Sequence, residues 1–236
     1  MRRPIDRLGE RTGSMVIHPV QVKICCVRSP EEAHTALSFG AVAVGLVSEM
    51  PAGPGDLSES EIREIVQAVP AGTGTFLLTA VTDADRLIDK VRRLGVNTLQ
   101  LWDPLEPEDY GRLHQELPGL SIVQAIHVID ASAIEHAQTA ARLADALVLD
   151  SSNPTVPFRW ESQAGATHDW SISQEIVQTV DCPVLLAGGL HSENVESAVR
   201  LVRPYGVDVC TGVRTEDALD RRKLAAFFES LRRIVA

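Results

Sequence analysis

The stretch VQVKICCVRSPEEAHTALSFGAVAVGLV, residues 20–47, contains one whole structural unit. VQVKICC (20–26) carries the β-branched and apolar residues of a short strand, and AVAVGLV (41–47) is a second run, apolar throughout. Between them Ser29 reads as an N-cap, Pro30 as the first helical residue and Glu32 as the partner that completes a capping box. Two strands joined by a helix must run parallel, because the crossover returns the chain to the same end of the sheet.

The unit repeats along the chain. Further apolar runs are TFLLTA (75–80), TLQLW (98–102), SIVQAIHV (121–128), DALVLD (145–150), PVLLAG (183–188) and GVDVCTG (206–212), which makes eight. Helical patterns fall at 30–39, 59–68, 83–94, 107–116, 131–143, 171–180, 193–202 and 221–234. Ser58 with Glu61 repeats the capping box, and Ser192 reads as the cap of the seventh helix. Eight alternating units in 236 residues predict an α/β fold of one domain, a (β/α)8 TIM barrel over 18–236. Residues 1–17, charged throughout, read as a disordered N-terminal extension.

Composition narrows the function classes. The net charge of −10 argues against a nucleic-acid or anionic-membrane partner, although backbone N–H groups can still build a local anion site. The four cysteines, Cys25, Cys26, Cys182 and Cys210, are scattered without a CxxC pair, so neither a zinc site nor a disulfide framework is indicated. No apolar run reaches membrane-spanning length, and the N-terminus lacks a signal-peptide core. The expectation is a soluble cytoplasmic protein with reduced thiols and no metal.

In a barrel the loops after the strands carry the active site, so the strand ends decide the chemistry. Strand alternation puts Lys23 and Cys25 on the inward face, with Val22, Ile24 and Cys26 facing the helices. Cys25 is then either a thiol activated by a nearby ammonium or a small buried hydrophobe; Cys26 is assigned to packing. Asp150 projects inward at the end of the sixth run, as a functional carboxylate or as the cap of its own turn with Ser152. Gly188, Gly189 and Gly212 end the seventh and eighth runs, where barrels commonly hold a phosphate. Asp208 shares an inward face with Cys210, and His127 and His168 fall near the rim. The irregular stretch 151–170 is long enough for a binding loop on the same side. HExxH, P-loop, GxGxxG and GxSxG patterns are absent.

Taken in order, VKIC, LVLDS, HDWSI, LAGGLHSENV and VRPYGVDVCTGV resemble the phosphoribosylanthranilate isomerases of tryptophan biosynthesis, from about residue 20 to the C-terminus. The resemblance implies a cofactor-free Amadori rearrangement of an aminoaldose phosphate to an aminoketose phosphate. It places the general base on Cys25, the general acid on Asp150 and the phosphate loops on Gly188-Gly189 and Gly212-Val213, with Asp208 as the inward carboxylate of strand eight. The expected partner is a small phosphorylated sugar, and the expected assembly is a monomer or homodimer.

Four segments depart from the family pattern. Cys26 stands where the family usually has glycine. The loop after strand two, SEMPAGPGDLS, lacks the usual basic residue for the anthranilate carboxylate. The usual QLHG appears as QLWD (100–103), with Trp102 in place of histidine, and the Gly-rich element appears as ESQAGATHDW (161–170). Candidates for the missing positive charge are Arg159, His127, His168 and Arg214, with Lys23 a further candidate substrate-binding residue. The alternatives are a paralogue acting on another phosphoribosyl compound and a non-catalytic barrel that binds a phosphorylated metabolite.

Overall fold

The computed structural model describes residues 20–50, 56–152 and 166–234; the extension expected at 1–17 and Arg159 lie outside them. The elements alternate strictly: β1 (Gln21–Ile24), α1 (Pro30–Phe39), β2 (Ala43–Val47), α2 (Glu59–Ala68), β3 (Gly74–Thr79), α3 (Ala84–Leu94), β4 (Thr98–Leu101) and α4 (Pro107–Glu116). They continue with β5 (Ser121–His127), α5 (Ser132–Ala140), β6 (Ala146–Asp150), α6 (Trp170–Thr179), β7 (Val184–Leu186), α7 (Val195–Val202), β8 (Gly206–Val209) and α8 (Arg221–Arg232). The eight barrel strands are parallel, each pairs with the next, and β1 pairs with β8 to close the barrel. A 3-10 turn at Thr211–Val213 and a hairpin of two two-residue strands lead into α8. None of the described helices is long and apolar enough to cross a membrane.

Packing explains why the strands read as unbroken apolar runs. One face of each strand meets the helical ring: Ile24, Leu46, Leu77, Leu99, Leu147 and Leu186 are fully buried against residues such as Ala36, Ile65, Leu87 and Leu113. Each such aliphatic side chain contributes about 1.5–3 kcal/mol relative to exposure. The other face fills the barrel with Ala43, Phe76, Val123, Ala146, Val148, Leu185 and Ala187. Above that layer, at the C-terminal mouth, Cys25, Cys26, Val47 and Leu78 form a third cluster, joined by Met50, Trp102 and Cys210.

Three local expectations are corrected. First, β1 ends at Ile24, and Cys26 has φ +59°, so alternation fails before Cys26 is reached. Cys26 therefore turns to the mouth rather than to the helices. Second, only half of the α1 capping box forms. Ser29 Oγ accepts from the Glu32 N–H, but the Glu32 carboxylate accepts from the N–H groups of Arg28 and Leu219 and from Arg214. The equivalent box of α2, Ser58 with Glu61, is complete. Third, the residue before α7 is Asn194, not Ser192, and its side chain binds the preceding loop instead of capping the helix.

Candidate active site

Neighbouring registers on β1 and β8 set Lys23 beside Asp208 inside the barrel. The Lys23 ammonium is 1% exposed and donates to Asp208 Oδ2 at 2.6 Å, with the Phe76 ring centroid 5.2 Å away. Burial disfavours this ammonium, but Asp208 and the Cys25 sulfur outweigh it and hold the group charged, above its ordinary pKa. Gly45 on β2 makes the space. A methyl group there would lie 2.8 Å from Cys25 Sγ and 2.9 Å from Lys23 Nζ, so both side chains converge over a residue without one. The inward reading of Lys23 and Cys25 thus agrees with the structure, even though Cys25 lies just past the strand.

Cys25 is not a ready thiolate. Its contact with Cys26 and then its burial push the thiol well above its ordinary pKa, and the Lys23 ammonium only partly opposes them. Asp208 is likewise pushed up by burial and drawn back by Lys23. Its Oδ1 is buried with no partner among the described residues.

Asp150 sits at the end of β6, half-buried. Its Oδ1 accepts from the N–H and the hydroxyl of Ser152 at 2.8 and 2.9 Å, so the carboxylate caps its own turn and faces the mouth at once. Opposite it in register stands His127, whose Nδ1 lies 3.1 Å from the Ser152 carbonyl and whose ring meets Trp102 edge-on at 4.5 Å. His127 Nε2 is buried without a partner among the described residues. His168, ahead of α6, bonds Ser173 Oγ at 2.6 Å through Nε2; burial lowers its pKa against the opposing charge of Asp150.

The ends of β7 and β8 form a wall of backbone. Gly188 and Gly189 have φ +82° and +63°, which only glycine adopts without strain. A side chain on Gly188 would strike Ser151, and one on Gly212 would strike the Leu190 carbonyl, so the two loops are in mutual contact. Asn194 Nδ2 donates to the Gly189 carbonyl at 2.9 Å and ties this wall to the start of α7. Val213, the last residue of the turn after β8, is fully buried.

The remaining candidates are held elsewhere. Arg214 donates to both Glu32 oxygens, at 3.2 and 2.7 Å, and to the carbonyls of Asp217 and Cys26, which binds the β8 loop to the β1 loop. Lys23 is committed to Asp208. After β2, Lys90 of α3 donates to Ser48 Oγ at 2.8 Å and Glu49 Oε2 at 2.7 Å, so a cation does stand behind that loop, paired with a carboxylate. Sequence reasoning missed Lys90 and Gly45, whereas the Ser152 contact of Asp150 was one of its two readings of that carboxylate. A glycine inside an apolar strand was the available signal for Gly45. Among the described residues no cluster of three or more His, Cys, Asp or Glu side chains is arranged to hold a metal ion.

Comparison with known proteins agrees with this fold. The family model for N-(5'phosphoribosyl)anthranilate (PRA) isomerase matches residues 22–230. The N-(5'-phosphoribosyl)anthranilate isomerase of Methanocella arvoryzae is 32% identical over 213 residues, covering 90% of this chain and 98% of its own. The Haloferax volcanii enzyme of that name is 34% identical over 209 residues, covering 88% and 90%. The crystal structure of the Thermotoga maritima phosphoribosyl anthranilate isomerase superposes with a TM-score of 0.78 at 25% identity, over 90% of this chain and 98% of that one. By sequence along nearly its whole barrel, and by fold, the chain belongs to the N-(5'-phosphoribosyl)anthranilate isomerase family.

Proposed function

We propose that the chain isomerises N-(5'-phosphoribosyl)anthranilate, with Asp150 as general acid and Cys25 as general base. The observation that carries this reading is the order of strands around the mouth. The acid stands on β6, the base follows β1, and the glycine wall of β7 and β8 lies between them. A phosphate held against Gly188, Gly189, Gly212 and Val213 leaves the sugar carbons within the arc between the two groups.

The rearrangement needs one proton given and one taken. Asp150, aimed by Ser152, protonates the ring oxygen, and the ribosylamine opens to a Schiff base. Cys25 then removes the C2′ proton to give an enolamine, which tautomerises to the ketone. Lys23 serves the base as a positioning residue, because its ammonium favours the thiolate. The electrons move within the substrate, so the scheme calls for no cofactor. The substrate is a small phosphorylated sugar, the product feeds tryptophan biosynthesis, and the reaction belongs in the cytoplasm.

On the aromatic side, Trp102 offers a face for the anthranilate ring, and His127 Nε2 is the group best placed to meet its carboxylate, since Arg214 and Lys23 are already bonded. A turnover assay with N-(5'-phosphoribosyl)anthranilate on wild type, Cys25→Ala and Asp150→Asn tests the assignment. Turnover in the wild type that collapses in both variants is expected; an inactive wild type refutes the function, and an active Cys25→Ala refutes the base.

A further inference from the structure

We propose that Cys26 and Cys210 are a modification site, a dithiol that closes reversibly to a disulfide across the barrel mouth. Their Sγ atoms lie 2.8 Å apart, inside van der Waals contact and outside the ~2.05 Å of a covalent bond. The two residues are 184 apart in sequence and follow the first and last strands, where β1 and β8 pair to close the barrel. The left-handed backbone at Cys26 is what turns its sulfur from the helical layer to this partner. Cys210 is half-exposed at the rim, whereas Cys26 and Cys25 are buried. The contact with Cys210 and burial push the Cys26 thiol well above its ordinary pKa, and the Arg214 guanidinium bonded to the Cys26 carbonyl opposes them only in part, so the accessible Cys210 is the thiol that meets an oxidant first.

A peroxide supplies the oxidant. The more accessible Cys210 thiol attacks it, the O–O bond breaks, and a sulfenic acid and one water form. The Cys26 thiol displaces the sulfenic hydroxyl, forming the S–S bond and a second water; two thiols have lost two protons and two electrons to the peroxide. A dithiol reductant reverses the step by exchange.

The bond would tie the loop that presents Cys25 to the turn Thr211–Val213, which contributes Gly212 to the glycine wall. It would also remove the Cys26 thiol from its contact with Cys25. A movement of under ~1 Å between catalytic and binding segments is enough to lower kcat/KM by about tenfold to a hundredfold. This consequence for turnover rests on the isomerase reading; the existence of the bond does not.

The test treats wild type, Cys26→Gly and Cys210→Ser with hydrogen peroxide, then digests each with trypsin without reduction. Glycine suits the φ of +59° at position 26, and serine is close in size to cysteine, so both variants are expected to fold. In the wild type the peptide 24–28 should appear linked to 201–214, with turnover falling by about tenfold to a hundredfold and returning with dithiothreitol. Neither variant should form the link, and each should keep its own starting rate through the treatment. No link in the wild type overturns the site. A link that persists in Cys26→Gly, which would place Cys25 in the bond, overturns it too, as does equal inactivation of Cys210→Ser. The linked peptide is read without turnover, so failure of the isomerase assignment leaves the test intact.

Discussion

The two halves of the barrel mouth are built from different materials. From β6 through β7 and β8 to β1, the working surface is backbone and short side chains. Gly188 and Gly212 are pressed against Ser151 and the Leu190 carbonyl, and Asp150 is pinned by Ser152. From β2 to β5 it is made of long side chains: Lys90 reaching Glu49, and Trp102 edge-on to His127. A backbone surface admits few substitutions, because a single methyl group collides with main chain. A side-chain surface can exchange one residue for another while the strands beneath stay fixed. On the proposed assignment, the acid, the base and the phosphate wall all fall in the first half and the aromatic side in the second.

The strongest way to break the comparison is to attack the chemistry where the halves meet. Cys25→Ala and Asp150→Asn should each lower kcat by about 10²–10⁴-fold while the fold, followed by circular dichroism, is unchanged. Comparable losses from His127→Ala would mean that the chemistry had been assigned to the wrong half. Next in size is a loss of stability. Asp208→Ala leaves the Lys23 ammonium buried without its carboxylate and should destabilise by about 3–5 kcal/mol in urea unfolding. Replacing both partners together, Lys23→Met with Asp208→Leu, should recover most of that loss, which would show that the penalty belongs to the orphaned charge.

Two milder substitutions separate the halves directly. Gly212→Ala must displace the Leu190 carbonyl; about 1–3 kcal/mol of stability should go with it, together with inhibition by inorganic phosphate. His127→Ala should leave phosphate inhibition alone and raise KM about tenfold to a hundredfold, the range for a lost hydrogen bond to a carboxylate. If His127→Ala weakens phosphate inhibition as much as Gly212→Ala does, the division of the mouth is wrong.

The same contrast decides what could be read from the sequence. The eight barrel strands, the described helices that alternate with them and the closed barrel follow from apolar runs and caps, because those signals are local. The placement of Gly188, Gly189, Gly212, Cys25 and Asp150 at the strand ends was legible for a related reason: strand phase and glycine position bear on the backbone itself. Long-range side-chain choices were not legible. Nothing in the order of residues says that Lys90 of α3 reaches back to Ser48, or that Glu32 leaves its capping box to hold Arg214 and the Leu219 N–H. Cys26 failed for a third reason. The alternation rule was carried two residues beyond the strand, to the residue where a positive φ turns the chain.

That misplaced residue gives the finest test of how the two sides of Cys25 oppose each other. Cys26 accepts the Cys25 proton and so favours the thiol, whereas the Lys23 ammonium favours the thiolate. Cys26→Gly removes the first influence, so the Cys25 pKa falls and the acid limb of the kcat profile moves to lower pH. Lys23→Met removes the second, and the limb should move to higher pH. Both shifts are expected to be smaller in their effect on rate at neutral pH than any loss above. Because the signs are opposite, general loosening of the mouth cannot mimic them, since it would move the two profiles together. Profiles that shift in the same direction, or a Cys26→Gly limb that stays in place, would show that the resting thiol is set by burial and not by its neighbour.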